Sequence, residues 1–336
     1  MNNIDKPLET PGATYWKNVE EHFYKMIPSI NLSEYELTED EAGRLFVDLF
    51  QYYIRYNKTI SGYMIYTGSI WTPDKWNIVE RAAALTSKFL QSVLAELPAA
   101  SLKEAANFVK HLRTVSGTKA ILFFASSDPR VTTSQEDYDK DPHLLNTPDY
   151  TIDLRTGEAR DHKREDLFTK QTLCNPDSIC ESKIFSSFLR AITLGRADLQ
   201  IALQTLLGSG CSGRYPKEEI GLFFGGGSNG KTALLEACGD VLGDYTKTLD
   251  IKNITEFSKE SAGHNDSIAH LAGGRLCITS ESNQDIKLDT AKVKKMTGGD
   301  KIPVSFKHGR TFDMRPCFTL IVLTNHKPRI TNRDDG

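Results

Sequence analysis

No run in the 336-residue sequence approaches the roughly 20 consecutive apolar residues that a helix needs to cross a bilayer. The opening residues, MNNIDKPLETPG, lack the basic and then apolar segments of a secretory signal. Folding without a membrane, in the cytoplasm, is the expectation. Cysteine is scarce and scattered: Cys174, Cys180, Cys211, Cys238, Cys277 and Cys317 form no CxxC pair and have no histidine at ligand spacing. That pattern suggests neither a zinc site nor a disulfide framework, so buried reduced thiols are expected. An excess of positive charge is also missing. Lys and Arg number 41 against 44 Asp and Glu, a formal net charge of -3. A uniformly basic nucleic-acid binder is thereby disfavoured, although an enzyme that grips DNA in a channel needs only local positive charge. Internal repeats and low-complexity tracts are absent.

What is present is the composition of a soluble globular protein: 39% apolar, 25% charged, with a mean hydropathy of -0.39. The length suffices for two domains with ordinary cores. Residues 1–37 read as a lead-in with short helical pieces. The segment LTEDEAGRLFVDLFQYYIRY reads as an amphipathic helix with Thr38 as N-cap, an acidic first turn, and Leu45, Leu49 and Tyr52 on one face. GYMIYTGSIWTPD alternates like a strand pair turning at Thr67-Gly68. From Trp76 to about Arg113 the pattern is helical with a break near Pro98, whereas ILFFASSDPRVTTSQEDY offers no motif. DPHLLNTPDYTIDLRTGEARDH reads as a small β element around Gly157. The apolar residues of IFSSFLRAITLGRADLQIALQTLLGSGCSG recur at helical spacing and lead into a strand at Ile220. The expected division is a mostly helical domain over 38–204 and an α/β domain over 205–336.

The most informative stretch is IGLFFGGGSNGKTALLEACGDVLG. It matches GxxxxGK(S/T) as Gly225-Gly226-Gly227-Ser228-Asn229-Gly230-Lys231-Thr232. Ile220 to Phe224 is apolar enough for a buried parallel strand, and Ala233 to Leu242 continues at helical spacing. Glycines let successive N–H groups converge on phosphate oxygens at a helix N-terminus that already favours anions. Lys231 would neutralise the β and γ phosphates of ATP, and Thr232 would offer its hydroxyl to Mg²⁺. A phosphate loop alone does not choose among kinases, GTPases and motor ATPases.

Three features follow it. GGRLCITSESNQ supplies a strand, Leu276 to Thr279, and then Glu281 as a candidate base beside the γ-phosphate. CFTLIVLTN supplies another strand, expected next to the first, ending at Asn325, whose amide could orient the attacking water. Between them, Ile302 to Phe306 and Thr311 to Met314 flank Lys307-His308-Gly309-Arg310 as a β-hairpin with a basic tip. Such a tip is either a solvated turn or a contact for the phosphate backbone of nucleic acid. Lys292, Lys294 and Lys295 lie on an expected helix before the hairpin, where a solvated face is an equally good reading.

In this order, GGGSNGKT, a strand with Glu281, a basic hairpin and a strand with Asn325, the chain resembles the superfamily 3 helicases, ring-forming AAA+ motors of viral, phage and plasmid replication. The resemblance is to the phage and plasmid primase-helicase branch, which includes the poxviral primase-helicase. It is carried by LLNTPDYTIDLRTGEARDH, NGKTALLEACGDVLGDYTKTL, HNDSIAHLAGGRLCITSE, KVKKMTGGDKIPV and FTLIVLTNHKPRI, and runs from about Leu37 to the end.

The resemblance implies an α/β P-loop AAA+ motor domain with a central parallel sheet, preceded by a mostly helical N-terminal domain. It implies an ATP hydrolase, a DNA helicase or translocase, working at the interfaces of a homo-oligomeric ring expected to be a hexamer. Gly225 to Ala233 would bind ATP, Thr232 and Glu281 would hold Mg²⁺, and Lys231, Glu281 and Asn325 would act in hydrolysis. Lys307, His308 and Arg310 would contact single-stranded or forked DNA. A primase or other replication proteins are the expected partners, in a bacterial host or a virus-infected cell. The alternative is an ATP-binding replication initiator or DNA-loading module that does not unwind.

Some features depart from the family. Many relatives carry two adjacent acidic residues where Ser280 precedes Glu281 here, leaving one carboxylate for both metal and water. No paired acidic motif of a primase-polymerase stands out. The chain is expected to stop before the segment bearing an arginine finger, with Arg333 close to that region.

Overall fold

The computed structural model describes residues 11–96, 98–177, 179, 181–213, 218–256, 266–281 and 287–330. It consists of two compact units, Met1–Gln135 and Glu136–Gly336.

In the first unit α1 (Pro11–Met26) and α2 (Glu39–Phe50) precede β1 (Ile54–Asn57), β2 (Gly62–Tyr66) and β3 (Trp71–Pro73). Then come α3 (Ile78–Ser92), α4 (Ala99–Leu112), α5 (Val115–Ser126) and β4 (Thr132–Thr133). The strands form a small sheet in the order β3-β2-β1-β4. Helix α2 starts where expected. Thr38 is extended and Glu39, Asp40 and Glu41 occupy the first turn, where negative charge complements the helix dipole. Ala42, Leu45, Phe46, Leu49 and Phe50 are buried, a spacing that gathers them on one face. Tyr52 lies beyond the helix and is 41% exposed, so it does not share that face.

Two sequence expectations fail in this unit. Residues 11–26 are not a lead-in but a helix whose Tyr15, Val19 and Phe23 enter the core. Their spacing of four places them on one stripe, and Phe23 stacks on Phe50 at 5.6 Å. The stretch without a motif contains the second half of α5, whose Ile121 and Ala125 are buried against that core. Gly43 makes room for it, because a Cβ there would lie 2.7 Å from Phe124 Cβ and 3.1 Å from the Ala125 backbone nitrogen.

The second unit opens with an antiparallel sheet of β5 (Leu144–Asn146), β6 (Thr151–Asp153) and β7 (Ala159–Arg160), followed by α6 (Lys183–Ile192) and α7 (Ala197–Ser209). β8 (Ile220–Phe224), α8 (Lys231–Leu242), β9 (Thr246–Thr248), α9 (Asp266–Ala269) and β10 (Leu276–Glu281) come next. The last elements are β11 (Lys287–Leu288), α10 (Thr290–Thr297), β12 (Ile302–Ser305), β13 (Thr311–Met314), β14 (Thr319–Thr324) and β15 (Arg329–Ile330). The principal sheet is parallel with the order β8-β14-β10-β9. Thus β14, the last of the four in sequence, is inserted between β8 and β10.

Along β14 the side chains alternate between two cores, Leu320 and Val322 in one, Ile321 and Leu323 in the other. That is the period-two signature of a strand buried on both faces. β8 was expected to be equally buried; instead only β14 pairs with it among the described residues, and Phe224 is 54% exposed. An edge position accounts for the difference. Cys277 is buried as expected and burial pushes its thiol up to about 12, whereas Cys174 is exposed, and Cys180 lies outside the described residues.

The division between compact units lies about 70 residues before the boundary read from the sequence near 205. The reason is a buried guanidinium. Arg275, only 3% exposed, donates from Nη1 to the Cys211 carbonyl at 2.7 Å and from Nη2 to the Leu144 carbonyl at 2.5 Å. It also lies 4.4 Å from the ring centroid of Tyr245, whose hydroxyl accepts from the Asn146 amide at 3.1 Å. With Leu145 in the same core as Leu276 and Tyr245, the small β5–β7 sheet is locked to the parallel one.

Candidate functional site

The parallel register levels the strand ends: Phe224 pairs with Thr324, and Thr324 with Glu281. The glycine-rich loop after β8, Asn325 after β14 and Glu281 at the end of β10 therefore meet at one edge of the sheet. The carboxyl ends of parallel strands are where open α/β sheets bind ligands. Here the edge opens into a cleft of ≈ 1080 Å³. Gly227, Ser228, Asn229, Gly230, Lys231, Thr232 and Ala233 line it from the loop and the start of α8, and Ser280, Thr324 and Asn325 line it from the strand tips. Gly225 and Gly226 sit at the base of the loop outside this lining. The strand-tip position of Glu281 follows from its backbone; its side chain lies outside the described residues.

The loop curls through left-handed backbone at Gly225 (φ +144), Ser228 (φ +62) and Gly230 (φ +81). Gly230 is doubly constrained, since a Cβ there would also lie 2.6 Å from Ile192 Cγ2 of α6. Around Gly226 and Gly227, by contrast, a Cβ would meet nothing within 4 Å, so their backbone is open to close approach. The Lys231 ammonium folds back on its own loop. It donates to the Gly225 carbonyl at 2.7 Å, the Gly226 carbonyl at 3.2 Å and Asn229 Oδ1 at 2.9 Å. The lysine at the start of α8 is thus held against its own loop, beside two glycines with open space around them.

Other lining residues had no motif to announce them: Thr246 and Thr248 from β9, and Glu236 and Asp240 from α8. Glu236 and Asp240 are one helical turn apart, a spacing visible in the sequence, but only the position of β9 beside β10 turns them into cleft walls. Thr324 is tied by its hydroxyl, which donates to the His326 carbonyl at 2.8 Å; this pins the turn that carries Asn325. Within α8, burial pushes the Cys238 thiol up, as does the nearby Cys211.

The basic residues form a separate place. β12 and β13 pair antiparallel, Ile302 with Met314 through Ser305 with Thr311, and Lys307, His308 and Arg310 are exposed at the turn. None of them lines the cleft. Lys292 of α10 is engaged, donating to the Thr255 carbonyl at 2.9 Å, while Lys294 and Lys295 are exposed. Arg333 lies outside the described residues.

Residues 43–194 match the family described as "D5 N terminal like", and residues 223–336 match a family of unknown function, DUF5906. The chain is 30% identical over 202 residues to "Putative helicase L207/L206" of Acanthamoeba polyphaga mimivirus, covering 59% of this chain and 21% of that protein. It is 24% identical over 206 residues to "Putative primase C962R" of African swine fever virus (isolate Warthog/Namibia/Wart80/1980), again 59% of this chain and 21% of that protein. The chain thus spans about a fifth of the length of these relatives. A solved structure described as the apo form of the NrS-1 C terminal region aligns with 84% of this chain and 56% of that chain, at 12% identity and a TM-score of 0.48. No described helix is long and apolar enough to cross a membrane. By sequence, the chain is related to large viral proteins named as helicase and primase, and its residues 43–194 are similar to the family described as D5 N terminal like.

Proposed function

We propose that this chain carries the ATPase motor of a replication helicase of the superfamily 3, AAA+ type, hydrolysing ATP in the cleft and moving DNA with the basic hairpin. One observation carries the reading: the glycine-rich loop, Asn325 and Glu281 end three adjacent parallel strands at the same level, although about 100 residues separate the first from the last. The viral relatives named helicase and primase support it.

ATP fits the loop. Gly226 and Gly227 leave room beside their backbone, and a triphosphate offers the Lys231 ammonium stronger acceptors than the carbonyls it now holds. Mg²⁺ fits the donor set, because Thr232 and Glu281 supply the oxygen ligands it prefers; when bound it neutralises charge developing on the phosphates. Glu281 accepts a proton from water as the water oxygen attacks the γ-phosphorus and the bond to the leaving ADP oxygen breaks. The Asn325 amide orients that water. Lys307, His308 and Arg310 contact the phosphate backbone of single-stranded or forked DNA, a sequence-indifferent contact. In the full reading the motor is a homo-oligomeric ring, a hexamer, with ATP at its interfaces and other replication proteins as partners.

The test is ATP turnover with and without single-stranded DNA, on protein whose solution mass is measured with and without ATP. Glu281→Gln should bind ATP and lose at least about 100-fold in hydrolysis. Equal rates in the variant and the parent remove Glu281 from the chemistry. DNA binding without strand displacement points instead to a loading module.

A further inference from the structure

The hairpin is attached to the rest of the unit in two different ways. Its foot is held by packing, with Ile302, Val304, Phe312 and Met314 buried in the core, yet β12 and β13 pair with no other strand among the described residues. Phe306 is the last side chain on the β12 side to pack against that core, and Lys307 and His308 beyond it are exposed. The tip closes on itself through the Gly309 amide, which donates to the Phe306 carbonyl at 2.8 Å, and His308 takes φ +64. A turn held only this way would swing about its foot.

One bond stops it. The Lys307 backbone amide donates to Asp266 Oδ1 at 2.7 Å, from the first residue of α9. The residue that follows this short helix supplies a second contact: the His270 ring lies 5.2 Å from that of Phe306, which is itself stacked 5.2 Å from Phe312. His270 Nε2 is 3.6 Å from Asp266 Oδ1, so carboxylate and imidazole brace the tip together. Because the bond is to the backbone, it holds the turn without engaging the Lys307 ammonium.

We propose that Asp266 is a positioning residue for nucleic-acid binding, anchoring the basic tip so that Lys307 and Arg310 meet a phosphate backbone already in place. The proposal rests on the reading of the hairpin as the DNA contact. Its electrostatic consequence runs the other way: a carboxylate beside cations lowers the local potential that attracts phosphates. Anchor and charge therefore have opposite signs, which separates them.

Binding of fluorescein-labelled oligo(dT) is measured by anisotropy at one fixed salt concentration for the parent, Asp266→Ala, Asp266→Asn and the double variant Lys307→Ala/Arg310→Ala. Asn keeps an oxygen acceptor and loses the charge; Ala loses both. Asp266→Ala should bind about five- to tenfold more weakly, the scale of one ordinary solvent-exposed hydrogen bond, while Asp266→Asn binds as tightly as the parent or tighter. Hydrogen exchange at the Lys307 amide should speed up in Asp266→Ala and stay protected in Asp266→Asn. If Asp266→Ala binds as well as the parent or better, the residue acts only as a charge and the anchor is overturned. Equal weakening in both Asp266 variants overturns it as well. If the double variant binds like the parent, the hairpin reading itself falls and takes the anchor with it.

Discussion

The two compact units solve the same packing problem differently. In residues 11–135 one continuous core gathers aromatics from several helices, with Phe23, Phe46 and Phe50 among the largest fully buried side chains, and Tyr63 of β2 packs against it. In residues 136–336 the apolar residues are divided between the two faces of the parallel sheet. A sheet packed on both faces buries its strands and leaves its strand ends uncovered. Candidate chemistry collects at those ends, on loops that the core positions without filling, as expected of sites carried by a rigid scaffold. The described residues of the first unit gather around one core instead.

That contrast is open to attack at several points. The largest expected effect is in the second unit: Lys231→Ala should lower ATP turnover by at least about 10³-fold, the scale of a charge-stabilising group in phosphoryl transfer, with an unchanged melting temperature. A large stability loss instead would make the lysine a structural clamp on its own loop carbonyls. In the first unit the balance should reverse. Phe50→Ala, at 0% exposure and stacked on Phe23, should cost about 3–5 kcal/mol in chemical denaturation, with hydrogen exchange accelerated in residues 11–135.

A smaller cost, about 1–3 kcal/mol by overpacking, is expected from Gly43→Ala, because the new methyl meets backbone of α5 as well as Phe124. Little or no loss in denaturation would show that the two helices are less tightly apposed. The smallest change should be a gain. Thr279 is fully buried in β10 and its hydroxyl has no hydrogen-bond partner among the described residues. Thr279→Val should therefore raise stability by about 1 kcal/mol; a drop would show that the hydroxyl has a partner, such as an ordered water.

Local pattern made much of this legible. The helix α2 was readable because its acidic first turn and 3–4 spacing are properties of consecutive residues, and so was the hairpin, whose turn residues separate two alternating runs. Helix α5 was not, because ILFFA is apolar on all sides and names no face; Phe123 is 67% exposed while Ile121 is fully buried, a choice made by the approach of α2 at Gly43. Helix α1 was missed for a related reason. Its stripe of Tyr15, Val19 and Phe23 is sparse, and it gains meaning only from the Phe50 it stacks on.

At the candidate site, the glycine-rich loop, Lys231 and Thr232 could be named from sequence because eight consecutive residues carry the whole pattern. Thr246, Thr248, Glu236 and Asp240 could not, since no short spacing joins them to the loop. The glycine-rich loop pattern, the basic turn and the helical face of α2 each rest on interactions between near neighbours along the chain, and so could be read from it. Tertiary structure alone decided that β14 lies between β8 and β10, that Arg275 ties a small sheet to the large one, and that Asp266 reaches the Lys307 amide. These are contacts between segments distant in sequence, fixed by which surfaces can bury one another and which polar groups must then find partners.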